Sequence, residues 1–164
     1  MSTVKTWRIS SQSSAETENL AEKIGANLRG GEVIELTSDV GGGKTTFTRG
    51  LARGAGSVDR VASPTFTVSK EYDTPKFTIV HYDFYRLEDP GIMSIELAEA
   101  MSEPTNVVVI EWSDIVQGVL PEKRLRVEFC RVAEGAETAN GDEPREVIVT
   151  TPAEMAYVLE GVAV

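Results

Sequence analysis

The sequence predicts a single α/β domain with a mixed central sheet, flanked by helices and carrying antiparallel strands at one side. Three observations lead to this fold class. An apolar strand at 33–36 runs into a glycine-rich turn, and an amphipathic helix follows. The run 106–111 contains four consecutive β-branched residues, as in strands covered on both faces. Alternating residues predict a hairpin and two further strands, at 66–72 with 77–84, 125–132 and 146–150.

The composition describes one globular domain spanning residues 1–164, with 41% hydrophobic and 26% charged residues. A net charge of −10 argues against strong direct nucleic-acid binding, so any RNA connection is expected to be indirect. Cys130 is the only cysteine, which excludes an internal disulfide. Without a long apolar run or a secretory signal, we predict a cytoplasmic protein with no membrane association. The acidic segment 133–145 lacks periodicity and is predicted to be a mobile loop.

The turn after the first apolar strand has the chemistry of a phosphate site. Gly41 to Gly43 carry no Cβ atoms, so this backbone can approach a phosphate closely. The helix behind the turn adds unpaired N–H groups and the positive end of its dipole. Lys44 supplies charge for the β- and γ-phosphates, and the Thr45 hydroxyl suits Mg²⁺. The pattern is Walker A, GxxxxGK[ST], with Ser38 in place of the first glycine; a flexible loop with a solvated lysine is the alternative.

Two acids end predicted strands. Glu111 closes the apolar run 106–111, and Asp83 closes the second strand of the hairpin. A carboxylate at a strand end beside a phosphate turn is the Walker B arrangement, which holds Mg²⁺ or orients the attacking water. A simple exposed acid is the alternative for Glu111. Period two places Ile79, His81 and Asp83 on one face of their strand.

Three further features are compatible with a nucleotide site. His81, the only histidine, is expected to be a hydrogen-bonded imidazole rather than a zinc ligand, and a general-base role stays open. Trp112 either stacks on a base or partner, or belongs to the core. Ser63 and Thr65 flank Pro64 in a loop that either senses the γ-phosphate or its Mg²⁺, or is only a turn.

Helices are predicted at 13–28, from 44 to 54 or 56, at 91–101 and from 152 onward. Ser13 and Glu16 form a capping box for the first helix, and Thr151 is expected to cap the last one. In the third helix, Ile92, Ile95 and either Met93 or Leu97 are expected to turn inward.

Four sequence blocks occur in order: SDVGGGKTTFTRGL, SPTFTVSKEY, HYDFYRL and IEW. Together they resemble the TsaE (YjeE) family of small bacterial P-loop ATPases. The resemblance implies a P-loop NTPase fold, with ATP and Mg²⁺ as cofactors. It also implies ATP hydrolysis that supports N6-threonylcarbamoyladenosine modification of tRNAs reading ANN codons. The protein partners would be TsaD and TsaB, and they would stimulate a weak intrinsic activity.

The resemblance assigns roles to the residues at matching positions. Catalysis would fall to Lys44, Asp83 and Glu111, and Mg²⁺ to Thr45, Glu111 and Asp83. The residues that would bind the nucleotide are Thr17, Asp39, Val40, Gly41, Gly42, Gly43, Lys44, Thr45, Thr46, Ser63, Thr65 and Trp112.

The sequence departs from the family pattern at Ser38, Gly42 and Phe84, where glycine, alanine and leucine are usual. The additional glycine should loosen the unbound turn. We therefore expect weak nucleotide affinity in the absence of partners.

Two other functions fit the same turn. A small-molecule kinase would use the same phosphate site, but it needs an acceptor pocket and usually an arginine-bearing lid, and the sequence has no clear lid insertion. A non-catalytic module that holds ATP as a structural ligand would not need two strand-end carboxylates.

Overall fold

The computed structural model describes residues 3–38, 43–64, 67–85, 87–89, 91–132 and 144–162. The strands are β1 (Val4–Ser11), β2 (Val33–Thr37), β3 (Ser69–Asp73), β4 (Thr78–Asp83), β5 (Asn106–Glu111), β6 (Leu125–Arg131) and β7 (Arg145–Pro152). The helices are α1 (Ser14–Asn27), α2 (Lys44–Gly54) and α3 (Met93–Ser102), with 3-10 helices at Ser113–Val119 and Ala153–Leu159. Most of the predicted mobile loop, 133–143, lies outside the described residues.

The described strands form one seven-stranded sheet in the order β1-β7-β6-β2-β5-β4-β3. The four central strands, from β6 to β4, run parallel. Antiparallel pairing joins β7 and β1 to one edge and β3 to the other. The predicted mixed sheet is confirmed, with antiparallel strands at both edges rather than one because the β3–β4 hairpin ends the sheet. Within the described ranges, no helix combines the length and apolarity needed to cross a bilayer.

Each face of the sheet has its own helical cover, because side chains alternate along the central strands. On one face, Leu36 and Val109 pack with Phe47 of α2, with α1 and with the C-terminal 3-10 helix. On the other face, Ile110 packs with Leu97 of α3 and with the 3-10 helix after β5. We call the face that carries Leu36 and Val109 the α2 face.

Helix α2 is held against α1 at very short range. A Cβ atom on Gly50 would collide with the backbone oxygen of Glu18, and one on Gly54 with the backbone oxygen of Glu22. Glycine therefore lets the two backbones touch. Arg53, on the same helix, binds the carboxylates of Glu18 and Glu22, the latter at 2.7 Å. This packing fixes the helix that follows the predicted phosphate turn.

The two predicted helix caps have opposite outcomes. At α1 the predicted Ser13 cap is present, because its hydroxyl accepts the N–H of Glu16 at 3.1 Å, while the Glu16 carboxylate accepts the N–H of Gln12 rather than that of Ser13. At the C-terminal end the prediction was wrong. Thr151 belongs to β7, where it pairs with Lys5 of β1, and the 3-10 helix begins only at Ala153. Strand pairing overrides the local capping pattern there.

The inward positions predicted for α3 were wrong at Ile92 and Ile95, whereas Met93 and Leu97 do turn inward. Ile92 and Ile95 are 68% and 60% exposed. The helix instead turns Met93, Leu97 and Ala100 toward the sheet, a stripe with helical spacing on the other side. The two isoleucines fall off this stripe, so they face outward.

A buried carboxylate ties the 3-10 helix after β5 to the sheet. Glu35 of β2 accepts hydrogen bonds from Ser113 Oγ and Gln117 Nε2, both at 2.6 Å, and from Arg124 Nε at 3.1 Å. Burial alone would raise the pKa of Glu35. The three hydrogen bonds and the positive charge of Arg124 outweigh burial, and the pKa lies below its ordinary value of 4.5.

The first prediction concerns the contact between α1 and α2. Gly50→Ala should destabilise the protein by about 1–3 kcal/mol, because the new methyl group must push two backbones apart and this outweighs the usual helical gain of about 1 kcal/mol. Urea denaturation measures the change. Gly118→Ala is the control, since nothing lies within 4 Å of its Cβ position. Equal stability of Gly50→Ala and wild type would contradict close packing.

The second prediction concerns Glu35. At pH 7, Glu35→Gln should cost about 3 kcal/mol, because Arg124 loses its buried partner charge. Since folding lowers the pKa of Glu35, its contribution is complete above the ordinary value of 4.5 and is lost as the pH falls through the folded-state pKa. Urea denaturation at neutral and acidic pH should therefore show a difference that shrinks in acid.

The exposed ion pair between Arg8 and Glu146 supplies the control for Glu35, and Glu146→Gln should change stability little. A penalty for Glu35→Gln that stayed constant down to low pH would show that the loss is one of packing rather than of charge.

Candidate functional site

Two acids lie side by side at the ends of neighbouring parallel strands. Asp83 of β4 is in register with Glu111 of β5. Their side chains follow Ile79 and Val109 by period two, so both acids lie on the α2 face. Both are buried, at 6% and 3% exposure. The alternation in the sequence predicted the face on which Asp83 lies. The register between β4 and β5 places Glu111 next to Asp83 on that face.

The strand next to Glu111 leads into the predicted phosphate turn. Leu36 of β2 is in register with Glu111, so the end of β2 lies one strand away from the acid. The turn closes at Gly43, whose φ of 101° places it in the left-handed region that glycine tolerates. The helix then begins at Lys44, and Thr45 and Thr46 lie half-buried in its first turn.

Lys44 is buried and its ammonium group is held at the turn. Its Nζ donates to Ser38 Oγ at 3.0 Å and to the Ser38 carbonyl at 3.3 Å, and it lies 4.5 Å from the centre of the Trp112 ring. Ser38 stands where the Walker A pattern has glycine. Its hydroxyl therefore adds a contact to the lysine that glycine cannot make.

The loop before β3 reaches Asp83. The Ser63 hydroxyl lies 3.2 Å from Asp83 Oδ2, and the Tyr85 N–H donates to Asp83 Oδ1 at 3.0 Å. The hydroxyl-bearing loop predicted from the sequence thus meets an acid of the site at Ser63. Thr65, predicted beside it, lies outside the described residues.

Glu111 is hydrogen-bonded to His81, the only histidine of the sequence. Its Oε2 lies 2.5 Å from His81 Nε2, and His81 has no exposed surface. The other ring nitrogen, Nδ1, lies 3.3 Å from the Tyr72 hydroxyl. The prediction of a hydrogen-bonded imidazole is confirmed. Tyr72 was missed by sequence reasoning because, although it ends the block SPTFTVSKEY, it reaches the ring from a different strand.

Trp112 lies beside the site. Its φ of 55° turns the chain sharply out of β5, and its ring lies 4.8 Å from that of Tyr85. The ring also borders a cavity of about 440 Å³ at the carboxyl ends of β2 and β6, a size ordinary for small-molecule sites. Residues lining the cavity include Ser38, Trp112, Phe129, Cys130, Arg131 and Arg145. The two arginines were not singled out from the sequence, because neither lies in a motif.

The remaining predicted binding residues have mixed outcomes. Asp39, Val40, Gly41 and Gly42 lie outside the described residues. Thr17 is buried at the start of α1, where its hydroxyl lies 2.7 Å from the Ser11 hydroxyl, and it does not line the cavity. Its assignment to nucleotide binding stays a prediction.

Comparison with known proteins gives a consistent result. The profile of the family described as "Threonylcarbamoyl adenosine biosynthesis protein TsaE" matches residues 11–139. The tRNA threonylcarbamoyladenosine biosynthesis protein TsaE of Bacillus subtilis (strain 168) is 36% identical over 135 residues, covering 82% of this chain and 79% of that protein. The protein of the same name from Rickettsia prowazekii (strain Madrid E) is 37% identical over 119 residues, covering 71% and 81%.

The fold is shared with a solved structure. The crystal structure of Bacillus subtilis YdiB matches with a TM-score of 0.74 and 28% identity, covering 96% of this chain and 94% of that chain. The sequence profile and the curated relatives extend over most of the chain and include the turn and both acids. The chain belongs to the TsaE family.

Proposed function

We propose that this protein binds and hydrolyses Mg-ATP in support of N6-threonylcarbamoyladenosine modification of tRNAs that read ANN codons. The observation that carries the proposal is the in-register pair Asp83 and Glu111 on the face covered by α2, one strand away from the turn that ends at Lys44. Membership of the TsaE family supports the pathway. A pure binding module would not need two buried acids beside a phosphate turn.

The phosphates would lie over the start of α2. The first-turn N–H groups of an α-helix can donate to an anion, and the helix dipole favours negative charge at the start of α2. Lys44 would leave Ser38 to contact the β- and γ-phosphates. Asp39, Val40, Gly41 and Gly42 would complete the turn. The cavity beside Trp112 would leave room for other parts of the nucleotide.

The donor set fits a magnesium ion. Among the described residues, no three His, Cys, Asp or Glu side chains form a ready-made metal cluster. Mg²⁺ rarely uses such a cage; it takes one or two carboxylates, waters and phosphate oxygens. Thr45, Asp83 and Glu111 supply hard oxygen donors of this kind. The bound ion would neutralise charge on the phosphate oxygens.

The chain's own residues would supply positioning and charge. Lys44 and the backbone amides would stabilise negative charge that builds up on the β,γ-bridge during cleavage. Glu111 or Asp83 would align the attacking water. Ser63 and Thr65 would respond to the nucleotide, since Ser63 already contacts Asp83.

The pathway role requires other proteins. We propose that the partners are TsaD and TsaB, that they order the site and raise a slow intrinsic hydrolysis, and that the reaction takes place in the cytoplasm. The net charge of −10 supports an indirect connection to tRNA, because backbone-driven binding needs clustered cations.

The third prediction tests Lys44. Lys44→Ala should lower ATP hydrolysis at least about 100-fold, because a positioned charge is removed from the developing phosphate charge. Phosphate release is measured without any added acceptor, which also separates an ATPase from a kinase. Lys76→Ala, in the exposed hairpin turn, is the control. Normal turnover in Lys44→Ala would exclude the phosphate site proposed here.

The fourth prediction separates binding from cleavage. Glu111→Ala should retain nucleotide but lose single-turnover hydrolysis, and Asp83→Asn should behave in the same direction. Equilibrium titration with ATP gives the affinity, and rapid quench gives the cleavage rate. Glu99→Ala, exposed on α3, is the matched control. Unchanged cleavage in both acid variants would exclude Asp83 and Glu111 from the hydrolytic step.

A further inference from the structure

We propose that His81 is a positioning residue that holds one oxygen of Glu111, so that the other oxygen faces the nucleotide site. Tyr72 links this arrangement to the loop at 61–64. The inference deepens the proposed function and rests on it for the role of Glu111. It concerns the imidazole itself, which neither the motif nor the family match assigns a role.

The proposed arrangement fixes the direction of this hydrogen bond. An ionised carboxylate only accepts, so His81 Nε2 would carry the proton that it donates to Glu111 Oε2 across 2.5 Å. Both side chains are buried, at 3% and 0% exposure, and competition from water is therefore weak. The hydrogen bond restricts the three side-chain torsions of Glu111 and engages one of its two carboxylate oxygens.

The second ring nitrogen is engaged as well. The Tyr72 hydroxyl donates its single proton to the Ala62 carbonyl at 2.9 Å, so its oxygen is left to accept from His81 Nδ1, which lies 3.3 Å away. With one nitrogen hydrogen-bonded to an acid and the other next to a tyrosine hydroxyl, both ring nitrogens are engaged and neither is available to activate a water molecule. The geometry therefore favours positioning over the general-base role that the sequence left open for His81.

The contacts join both acids to the same short segment. Ala62 connects to Glu111 through Tyr72 and His81, whereas the next residue, Ser63, contacts Asp83 directly. A shift of this segment would alter the orientation of both acids together. A nucleotide that contacts Ser63 would thus change the orientation of Glu111 through the side chains of Tyr72 and His81, without any change in the sheet.

The test uses two substitutions of the histidine. His81→Leu removes the donor, and His81→Gln retains an N–H near the position of Nε2. Outer partners of metal-binding side chains typically contribute about 10- to 100-fold in metal affinity or activity. In His81→Leu, we expect the Mg²⁺ affinity, measured with ADP bound, and the single-turnover cleavage rate each to fall by this factor. ADP affinity without metal should change less than about 3-fold, and His81→Gln should recover most of the loss.

A second readout does not depend on activity. Because the chain has one histidine, long-range ¹H–¹⁵N spectra report one imidazole without ambiguity. We expect the wild-type ring to be protonated at Nε2, with a resonance that moves strongly in Glu111→Gln and little in Asp83→Asn. This spectrum is recorded on the nucleotide-free protein, so it remains decisive if His81→Leu fails to fold or if the wild type proves not to hydrolyse ATP.

The outcomes separate the two proposals. An Nε2 without a proton, or an imidazole signal indifferent to Glu111→Gln, would overturn the positioning role. Equal loss in His81→Leu and His81→Gln would also overturn it, since the effect would then come from packing. Absence of ATP cleavage in the wild type, with an Nε2 proton that responds to Glu111→Gln, would reject the ATPase function and leave the imidazole–carboxylate contact intact.

Discussion

The register between β4 and β5 is the constraint on which the rest of the site depends. It sets Asp83 opposite Glu111, and period two then sends both side chains to the α2 face. A slip of one residue would turn every side chain of β4 to the other face and separate the acids. The slip is opposed by the apolar residues that share these strands, because Val80 and Tyr82 would have to exchange places with Ile79 and His81. The hydrophobic core and the candidate site are therefore specified by the same pairing.

Two other sets of contacts support this arrangement from opposite sides of the sheet. On the α2 face, glycine contacts bring α2 onto α1, which fixes the direction of the helix that carries Lys44. On the other face, Glu35 anchors the segment that follows Trp112. Trp112 lies between them, with Lys44 against its ring. The site is thus supported by close backbone contact on one side of the sheet and by the buried charge of Glu35 on the other. The backbone contact depends on side-chain volume, and the Glu35 contacts depend on pH.

Much of the fold could be predicted from the sequence because its signals are local. The strands follow from alternation, Lys44 from the glycine turn, and the common face of His81 and Asp83 from period two. What sequence reasoning missed depends on tertiary contacts. Nothing in the sequence near Glu35 indicates its hydrogen bond with Arg124, which forms only in the folded protein. In the same way, Tyr72 reaches His81 only because β3 pairs with β4. The outward turn of Ile95 and the strand conformation of Thr151 show the same effect, since packing and pairing override a plausible local pattern.

The strand order has a further consequence at the two margins of the sheet. The outermost strands are β1 and β3, and each leaves a row of backbone groups without a neighbouring strand in the described part of the chain. Exposed charges lie along both, from Lys5 and Arg8 on β1 to Glu71 and Asp73 on β3. Charged margins of this kind disfavour the addition of a strand from another molecule. The two edges therefore disfavour strand addition, while the parallel centre of the sheet carries the two buried acids.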